Sequence, residues 1–435
     1  MPKLGLGVRA RAGRQSGHTF QMALDLTQPR SLGVHVLSRA QAAPACGIVP
    51  ALEAALAENI SALGTELYVV DYRLSVLQPV SSASKKPIGS AERLGVDESA
   101  VGRVFVTQLP EVTLQGECFA ARLPVTVRGE RLGVLEVLLP SRPSDDQLGE
   151  LQGVATDLAH AICVARRDTD VFERAARAQA LSLAAEMQWQ LLPGRASAGP
   201  GYRLAGQLEP AYYVAGDSFD WCVSHECTQL SLCDAMGRGV TASQLATLAV
   251  SALRNGRRND ISLAEQARCA DQAIYSLHCG EQFAHAVLLR FDHSSNKAYA
   301  VSAGSAFVLR QRGEDVVPLA LKAQLPLGLF EGTDYTEQPL DAVPGDRIVV
   351  ASDGLYSACP PGGAEFGSAR LFELLASMKE LPPAEVVRRL IKELLAYHRG
   401  ASLRDDAVVV VFDWLPLPAG ASPCQQEPSM SGQPS

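Results

Sequence analysis

The residues of this chain best suited to chemistry are acids set beside glycines at the ends of apolar runs. Gly216-Asp217-Ser218-Phe219-Asp220 and Cys233-Asp234-Ala235-Met236-Gly237-Arg238-Gly239 place carboxylates where glycine lets the backbone approach a ligand closely. Asp353 follows Val349-Val350-Ala351-Ser352 and precedes Gly354, and Asp405-Asp406 directly precede an apolar run over 407–412. A Gly-Asp pair by itself says little, because both are ordinary turn residues. Recurrence at the ends of several buried strands says more. Carboxylates from separate strand ends can meet in one cleft, and hard divalent cations are held by oxygen ligands of this kind.

The elements that must position these acids belong to a chain of 435 residues, 47% apolar and 20% charged, enough for two or three folded domains. A net charge of −8 argues against a nucleic-acid partner, which calls for clustered Lys and Arg. No stretch is long and apolar enough to span a bilayer. Lys3, Arg9, Arg11 and Arg14 are not followed by the apolar core of a secretory signal, so a cytoplasmic protein without membrane contact is expected. The ten cysteines include no Cys-x-x-Cys, and Cys222, Cys227 and Cys233 lack matched histidines, which points to reduced, buried thiols.

Residues 1–45 form an extension with weak periodicity. Leu52, Ala55, Leu56, Ile60 and Leu63 have helical spacing, Leu67-Tyr68-Val69-Val70 reads as a strand with a hairpin partner over 72–80, and 121–139 is a clear hairpin turning at Arg128-Gly129-Glu130. A small α+β domain over 46–145 follows from this order. It resembles a GAF sensor domain, with Gly133-Val134-Leu135-Glu136-Val137 similar to that family's central strand. The resemblance implies a small-molecule or protein signal; a domain used only for dimerisation is the alternative. Leu151, Val154, Leu158 and Ile162, then Ala180, Leu183, Ala184, Met187 and Leu191, predict one long linker helix over 146–193 that could pair in a parallel homodimer. The second domain spans 194–414, its strands and helices grouped rather than alternating, which favours two antiparallel sheets flanked by helices. Residues 415–435, rich in Pro, Ser and Gln, read as a disordered tail.

Gly237-Arg238-Gly239-Val240-Thr241-Ala242 also fits the G-x-G-x-x-A dinucleotide fingerprint, with Asp260 near the distance of a ribose-binding acid. Context excludes it. The fingerprint needs a strand ending at the acid, whereas 255–260 is a turn into a second helix.

Taken together, Leu191-Leu192-Pro193, Gly216-Asp217-x-x-Asp220, Asp234-Ala235-Met236-Gly237-Arg238-Gly239, Pro326-Leu327-Gly328, Pro344-Gly345-Asp346, Ser352-Asp353-Gly354-Leu355 and Asp405-Asp406 occur in the order found in SpoIIE-like phosphatases. These are a bacterial branch of the metal-dependent serine/threonine protein phosphatases (PPM superfamily), and the resemblance covers 180–414. It implies an α-β-β-α sandwich with two Mn²⁺ or Mg²⁺ ions in a cleft. By position, Asp217 and Asp234 would bridge the pair, Asp353 and Asp405 would hold one ion, and Ala235 would offer its backbone carbonyl. Asp220 and Asp406 would support them, and Arg238, often lysine in relatives, would touch substrate phosphate or else be a solvated turn residue. Such a metal pair suits phosphomonoester hydrolysis by activating a water for in-line attack and neutralising phosphoryl charge. A phosphorylated protein substrate, of the anti-anti-sigma type met in relatives, is implied as partner. The chain departs from the family at Ser305 (usually His), Ser357 (often an acid) and Val408 (often Thr), none a presumed ligand. A sensor-gated phosphatase is therefore expected; the alternative is a binding or scaffold protein that keeps the fold without turnover.

Overall fold

The computed structural model describes residues 42–83, 92–209, 216–304, 307–360, 362–399 and 403–417, with Val36, Ser38 and Arg39. Helix α1 (Ile48–Ile60) buries Ile48, Val49, Leu52, Ala55 and Leu56, and ends at Ser61 in a left-handed conformation. Strands β1 (Gly64–Val70), β2 (Val76–Pro79) and β3 (Leu94–Gly95) precede α2 (Ala100–Thr107), whose first turn is capped by the Ser99 side chain accepting from Gly102 N–H. Strands β4 (Glu111–Gln115), β5 (Cys118–Val127) and β6 (Glu130–Leu139) complete an antiparallel sheet ordered β3-β2-β1-β6-β5-β4. The β5–β6 hairpin turns through Arg128 (φ 49°) and Gly129 (φ 86°). Two consecutive positive φ values match the right-handed twist of the flanking strands, so the turn closes without splaying them.

Helix α3 (Asp145–Ala165) begins with a reciprocal cap between Ser144 and Gln147 and lays Leu151, Val154, Leu158 and Ile162 against Leu123, Val125, Leu135 and Val137 of that sheet. The expected single linker helix is not formed. A short helix over Val171–Ala175 and then α4 (Leu183–Leu191) follow α3 as separate pieces. The reason lies in what each piece covers. Phe172 and Ala175 close the first domain's core, while α4 packs against a helix of the second domain. A straight helix through this segment would extend about 70 Å and carry the later stripe away from both surfaces. Leu151, Val154, Leu158, Ile162, Ala184 and Leu191 are buried within the chain, while Leu183 stays 66% exposed.

The second domain is a sandwich of two sheets. Strands β7 (Ala196–Gly199), β8 (Tyr202–Glu209), β9 (Asp217–Val223) and β10 (Cys227–Ala235) lead to α5 (Gly239–Arg258) and α6 (Leu263–His278). Strands β11 (Ala284–Asp292), β12 (Lys297–Ala303), β13 (Phe307–Arg312), β14 (Asp315–Pro318), β15 (Gln338–Leu340) and β16 (Arg347–Ala351) follow. After β16 come a helical turn (Asp353–Tyr356), α7 (Ser368–Ser377), α8 (Pro383–Tyr397) and β17 (Ala407–Trp414). The sheet orders are β15-β12-β11-β10-β9 and β14-β13-β16-β17-β8-β7. Period-two alternation builds the layers. Ile348 and Val350, with Val408, Val410 and Phe412, face Leu230, Leu232, Val287, Leu289 and Phe291 between the sheets. Val349 and Ala351, with Val409 and Val411, lie under α7 and α8, and Cys233 and Ala235 lie under α5 and α6. The α-β-β-α sandwich expected from the sequence is the architecture found.

Polar contacts join the two domains. Gln207 Nε2 donates to the Tyr72 carbonyl at 2.6 Å, Arg195 Nη1 to the Asp71 carbonyl at 3.0 Å, and Ala198 N–H to the Arg128 carbonyl at 2.7 Å. Arg73 pairs with the buried Glu209 at 2.7 Å, and Asp97 with Arg388 at 2.9 Å and Lys392 at 2.7 Å. No helix among the described residues is long and apolar enough to cross a membrane.

Phe291 sits between Phe412 (4.6 Å between ring centroids) and Trp414 (5.3 Å) and is fully buried. Phe291→Ala should destabilise the sandwich by about 3–5 kcal/mol through lost burial and a residual cavity. Urea unfolding followed by tryptophan fluorescence checks this, and an unchanged midpoint would exclude the inter-sheet core as the stabilising layer.

Candidate active site

Asp217 opens β9 and Asp234 lies near the end of β10, and the antiparallel register sets the two opposite each other. They share the strand faces that carry Phe219 and Leu232 into the sandwich, so both side chains face the space between the sheets. On the other sheet, Asp353 starts the helical turn just after β16, and Asp405-Asp406 lie just before β17, the strand beside β16. All of these acids therefore gather at one end of the sandwich. Asp234, His285, Ser352 and Asp353 line a narrow cleft there.

Close backbone approach makes two glycines necessary. A Cβ at Gly216 would lie 2.1 Å from the Ala235 carbonyl oxygen, and one at Gly354 would lie 1.9 Å from that of Asp406. Ser352 Oγ accepts from Val408 N–H at 2.9 Å and donates to the Asp406 carbonyl at 3.3 Å, stitching the Asp353 turn to the start of β17. The Asp406 carboxylate is 1% exposed and accepts from Gly216 N–H and from Gln188 Nε2, each at 3.1 Å. It supports the Asp217 turn from within.

Burial, followed by the charges of Asp234 and Asp406, pushes the Asp217 carboxyl well above the usual range, and a hydrogen bond with Ser352 opposes this in part. Asp234 is raised by burial and by Asp353, with His285 opposing, and Asp405 is raised by burial and by Asp353, with Arg238 opposing. Asp217 Oδ2 is buried and has no hydrogen-bond partner. Among the described residues, no three His, Cys, Asp or Glu side chains are drawn together as a coordinating group. The donor set still fits a hard divalent cation: oxygen ligands only, one buried oxygen unmatched, and mutual repulsion that a positive charge would relieve.

The expected supporting role of Asp220 needs correction. It lies on the opposite face of β9 from Asp217, where it pairs with Arg254 at 2.8 Å and Arg257 at 2.9 Å and so anchors α5. An offset of three residues along a strand reverses the face, whereas the motif spacing gives no sign of this. Arg238 is exposed, donates to the Arg404 carbonyl at 3.0 Å and lies near enough to Asp405 to favour its ionised form. Val408 belongs to the inter-sheet core, Ser357 is exposed beside the Asp353 turn, and Ser305 lies outside the described residues.

Sequence reasoning missed His285 and Gln188. His285 pairs in register with Asp234 from β11, and a Cβ at Gly304 would come within 2.1 Å of its Nδ1, so the imidazole fills the space beside that glycine. Its signal is a polar residue in the otherwise apolar start of β11. Gln188, on α4, donates from Nε2 to the Asp217 carbonyl as well as to Asp406. It stands inside an apolar stripe and is 1% exposed, a buried amide whose purpose only the fold reveals.

The second domain is thus a two-sheet sandwich with carboxylates gathered at one end. Residues 224–415 match the family described as Stage II sporulation protein E (SpoIIE). Asp234, Asp353, Asp405 and Asp406 fall inside the match, and Asp217 lies just before it. Among solved structures, the SiaA-PP2C domain of Pseudomonas aeruginosa is 21% identical over 53% of this chain and 94% of its own, with a TM-score of 0.45. The PP2C phosphatase domain with a fragment of the regulatory domain of SpoIIE from Bacillus subtilis is 15% identical over 70% of this chain and 81% of its own, with a TM-score of 0.43. The catalytic domain of the serine/threonine protein phosphatase PstP, in complex with two manganese ions, is 19% identical over 50% of this chain and 99% of its own, with a TM-score of 0.39. No curated protein matches the chain.

The raised acids give a pH test that needs no activity. A carboxyl whose folded pKa exceeds its unfolded value binds more protons in the folded state. Stability is therefore lost as the pH rises from the unfolded value, about 4, through the folded one. With cations chelated, Asp217→Asn should melt at a higher temperature than the native chain at pH 7 and show a flatter decline above about pH 5. Thermal melts across this range decide; a variant no more stable than the native chain would contradict the electrostatic account of the cleft.

Proposed function

We propose that this chain is a divalent-cation-dependent phosphatase that removes phosphate from serine or threonine of a regulatory protein in the cytoplasm, its substrate an anti-anti-sigma-type domain. The observation that carries this proposal is the gathering of Asp217, Asp234, Asp353 and Asp405 at one end of a sandwich whose residues 224–415 match the SpoIIE family. Two Mn²⁺ or Mg²⁺ ions would be held by Asp217 and Asp234 between them, by Asp353 and Asp405, and by the Ala235 carbonyl. Bound cations of this kind supply water activation and neutralise charge on the phosphoryl group.

The chain's own groups orient and support. Asp406 and Gln188 fix the Asp217 turn, and Ser352 locks the Asp353 turn to β17. His285 lines the cleft opposite Asp234, where a ring nitrogen can hydrogen-bond a phosphoryl oxygen. Exposed Arg238 adds a guanidinium beside Asp405 to attract the phosphate. Asp234→Ala and Asp353→Ala should each reduce Mn²⁺-stimulated hydrolysis of a phosphoserine protein at least about a hundredfold, or ~2.7 kcal/mol of barrier, with circular dichroism unchanged. Turnover retained in both folded variants would remove the metal assignment. A native chain that binds a phosphoprotein without hydrolysing it would be a scaffold instead.

Gating by the N-terminal, GAF-like domain has a physical route. Tyr72 of that domain packs against Trp189 of α4 with ring centroids 4.4 Å apart and donates to Glu173 at 2.6 Å, and the neighbouring Gln188 holds Asp217 and Asp406. A signal that shifts α4 would therefore move the Asp217 turn. Gln188→Ala should lower kcat about tenfold, ~1.4 kcal/mol, with little change in KM. An unchanged kcat would break this route.

A further inference from the structure

Away from the carboxylate cleft, one pocket combines basic, aromatic and buried polar groups. Gly362, Gly363, Arg370, Tyr397, His398 and Arg399 line an open space of about 720 Å³ between the loop after the Asp353–Tyr356 turn and the C-terminal end of α8. No carboxylate is among the described lining residues. His398 is only 2% exposed, yet neither Nδ1 nor Nε2 has a hydrogen-bond partner. An imidazole buried with both nitrogens unmatched is uncommon, because each has given up water without replacement.

The surrounding groups say what would replace it. The Arg370 guanidinium lies over Phe366 at 5.4 Å and Tyr397 at 4.9 Å, and its ion pair with Glu393 is long, at 3.9 Å. Stacking holds the guanidinium plane in place while leaving donors along its edge. Arg399 is exposed and in the left-handed region at φ 50°. Two guanidinium groups outweigh the partial negative charge of the α8 C-terminus that ends here. The opposite wall is preset by Phe366 N–H to the Ala358 carbonyl at 2.7 Å, Gly367 N–H to that of Tyr356 at 2.8 Å, and Tyr397 hydroxyl to that of Ala364 at 3.0 Å.

We infer that this pocket binds a phosphate group, free or as a monoester, through His398, Arg370 and Arg399. Burial pulls the His398 imidazole below its ordinary pKa, in keeping with a neutral ring that offers one donor and one acceptor. One ring nitrogen can donate to a phosphate oxygen, while the remaining oxygens of the dianion take the guanidinium donors of Arg370 and Arg399. A monocarboxylate carries less charge and fewer acceptor oxygens for the same two guanidinium groups. Binding here requires neither cation nor turnover, so it stands apart from the proposed phosphatase activity.

Calorimetric titration of the full-length chain, with divalent cations chelated, tests this using inorganic phosphate, phosphoserine and acetate. Saturable phosphate binding is expected, with acetate at least tenfold weaker. His398→Ala and the double variant Arg370→Ala/Arg399→Ala should each weaken phosphate binding tenfold or more, while Asp234→Asn leaves it unchanged. Should the His398 variant fail to fold, the arginine pair decides, because both side chains are exposed. Phosphate tighter than phosphoserine assigns the pocket to free phosphate, and the reverse assigns it to a phosphoryl group carried on a ligand. The assignment is overturned by absence of saturable binding, by affinity unchanged in the arginine variant, by acetate binding as tightly as phosphate, or by loss of binding in Asp234→Asn.

Discussion

Asp217 and Asp234 face each other across β9 and β10, with Asp353 and Asp405 brought up from the other sheet, so the folded chain must hold like charges together at a partly buried site. Repulsion and burial both act against this. What holds the acids in place is the sandwich beneath them: strands in continuous register and an inter-sheet core that includes Phe291, Phe412 and Trp414. The site is thus destabilised locally and positioned by a scaffold that gains its stability elsewhere, a usual division in a functional centre.

Asp406 shows how that positioning reaches beyond the cleft. Its buried carboxylate receives the Gly216 amide and the Gln188 side chain, so the Asp217 turn, the start of β17 and helix α4 meet at one group. Helix α4 in turn touches α5 through Ser243 Oγ donating to the Ala184 carbonyl at 3.2 Å, and touches the N-terminal domain through Trp189 and Tyr72. The domain interface is built largely from side chains bonded to backbone carbonyls and from ion pairs. Polar interfaces of this kind are the ones across which domains shift.

Much of this was legible in the sequence. Short apolar runs that become β10, β16 and β17 and the acid-bearing turns at their ends located the strands and most of the acids, because strand propensity and turn chemistry are local properties. The β5–β6 hairpin was equally readable from Arg128-Gly129. Local pattern also misled. The apolar spacing from Leu151 to Leu191 is continuous in phase, yet the segment breaks into three helices because its parts are buried against different surfaces.

By itself, then, the sequence determined which segments become strands, where acids stand at their ends, and that the second domain is a two-sheet sandwich. Tertiary structure alone decided that Asp220 turns to Arg254 and Arg257 rather than to the cleft, that His285 enters it beside Gly304, and that Gln188 reaches Asp217 and Asp406 from a distant helix. The physical reason is common to all three. Backbone propensity and hydrophobic period act between near neighbours in the chain, whereas the partner of a buried polar side chain is set by which surfaces the folded layers bring into contact.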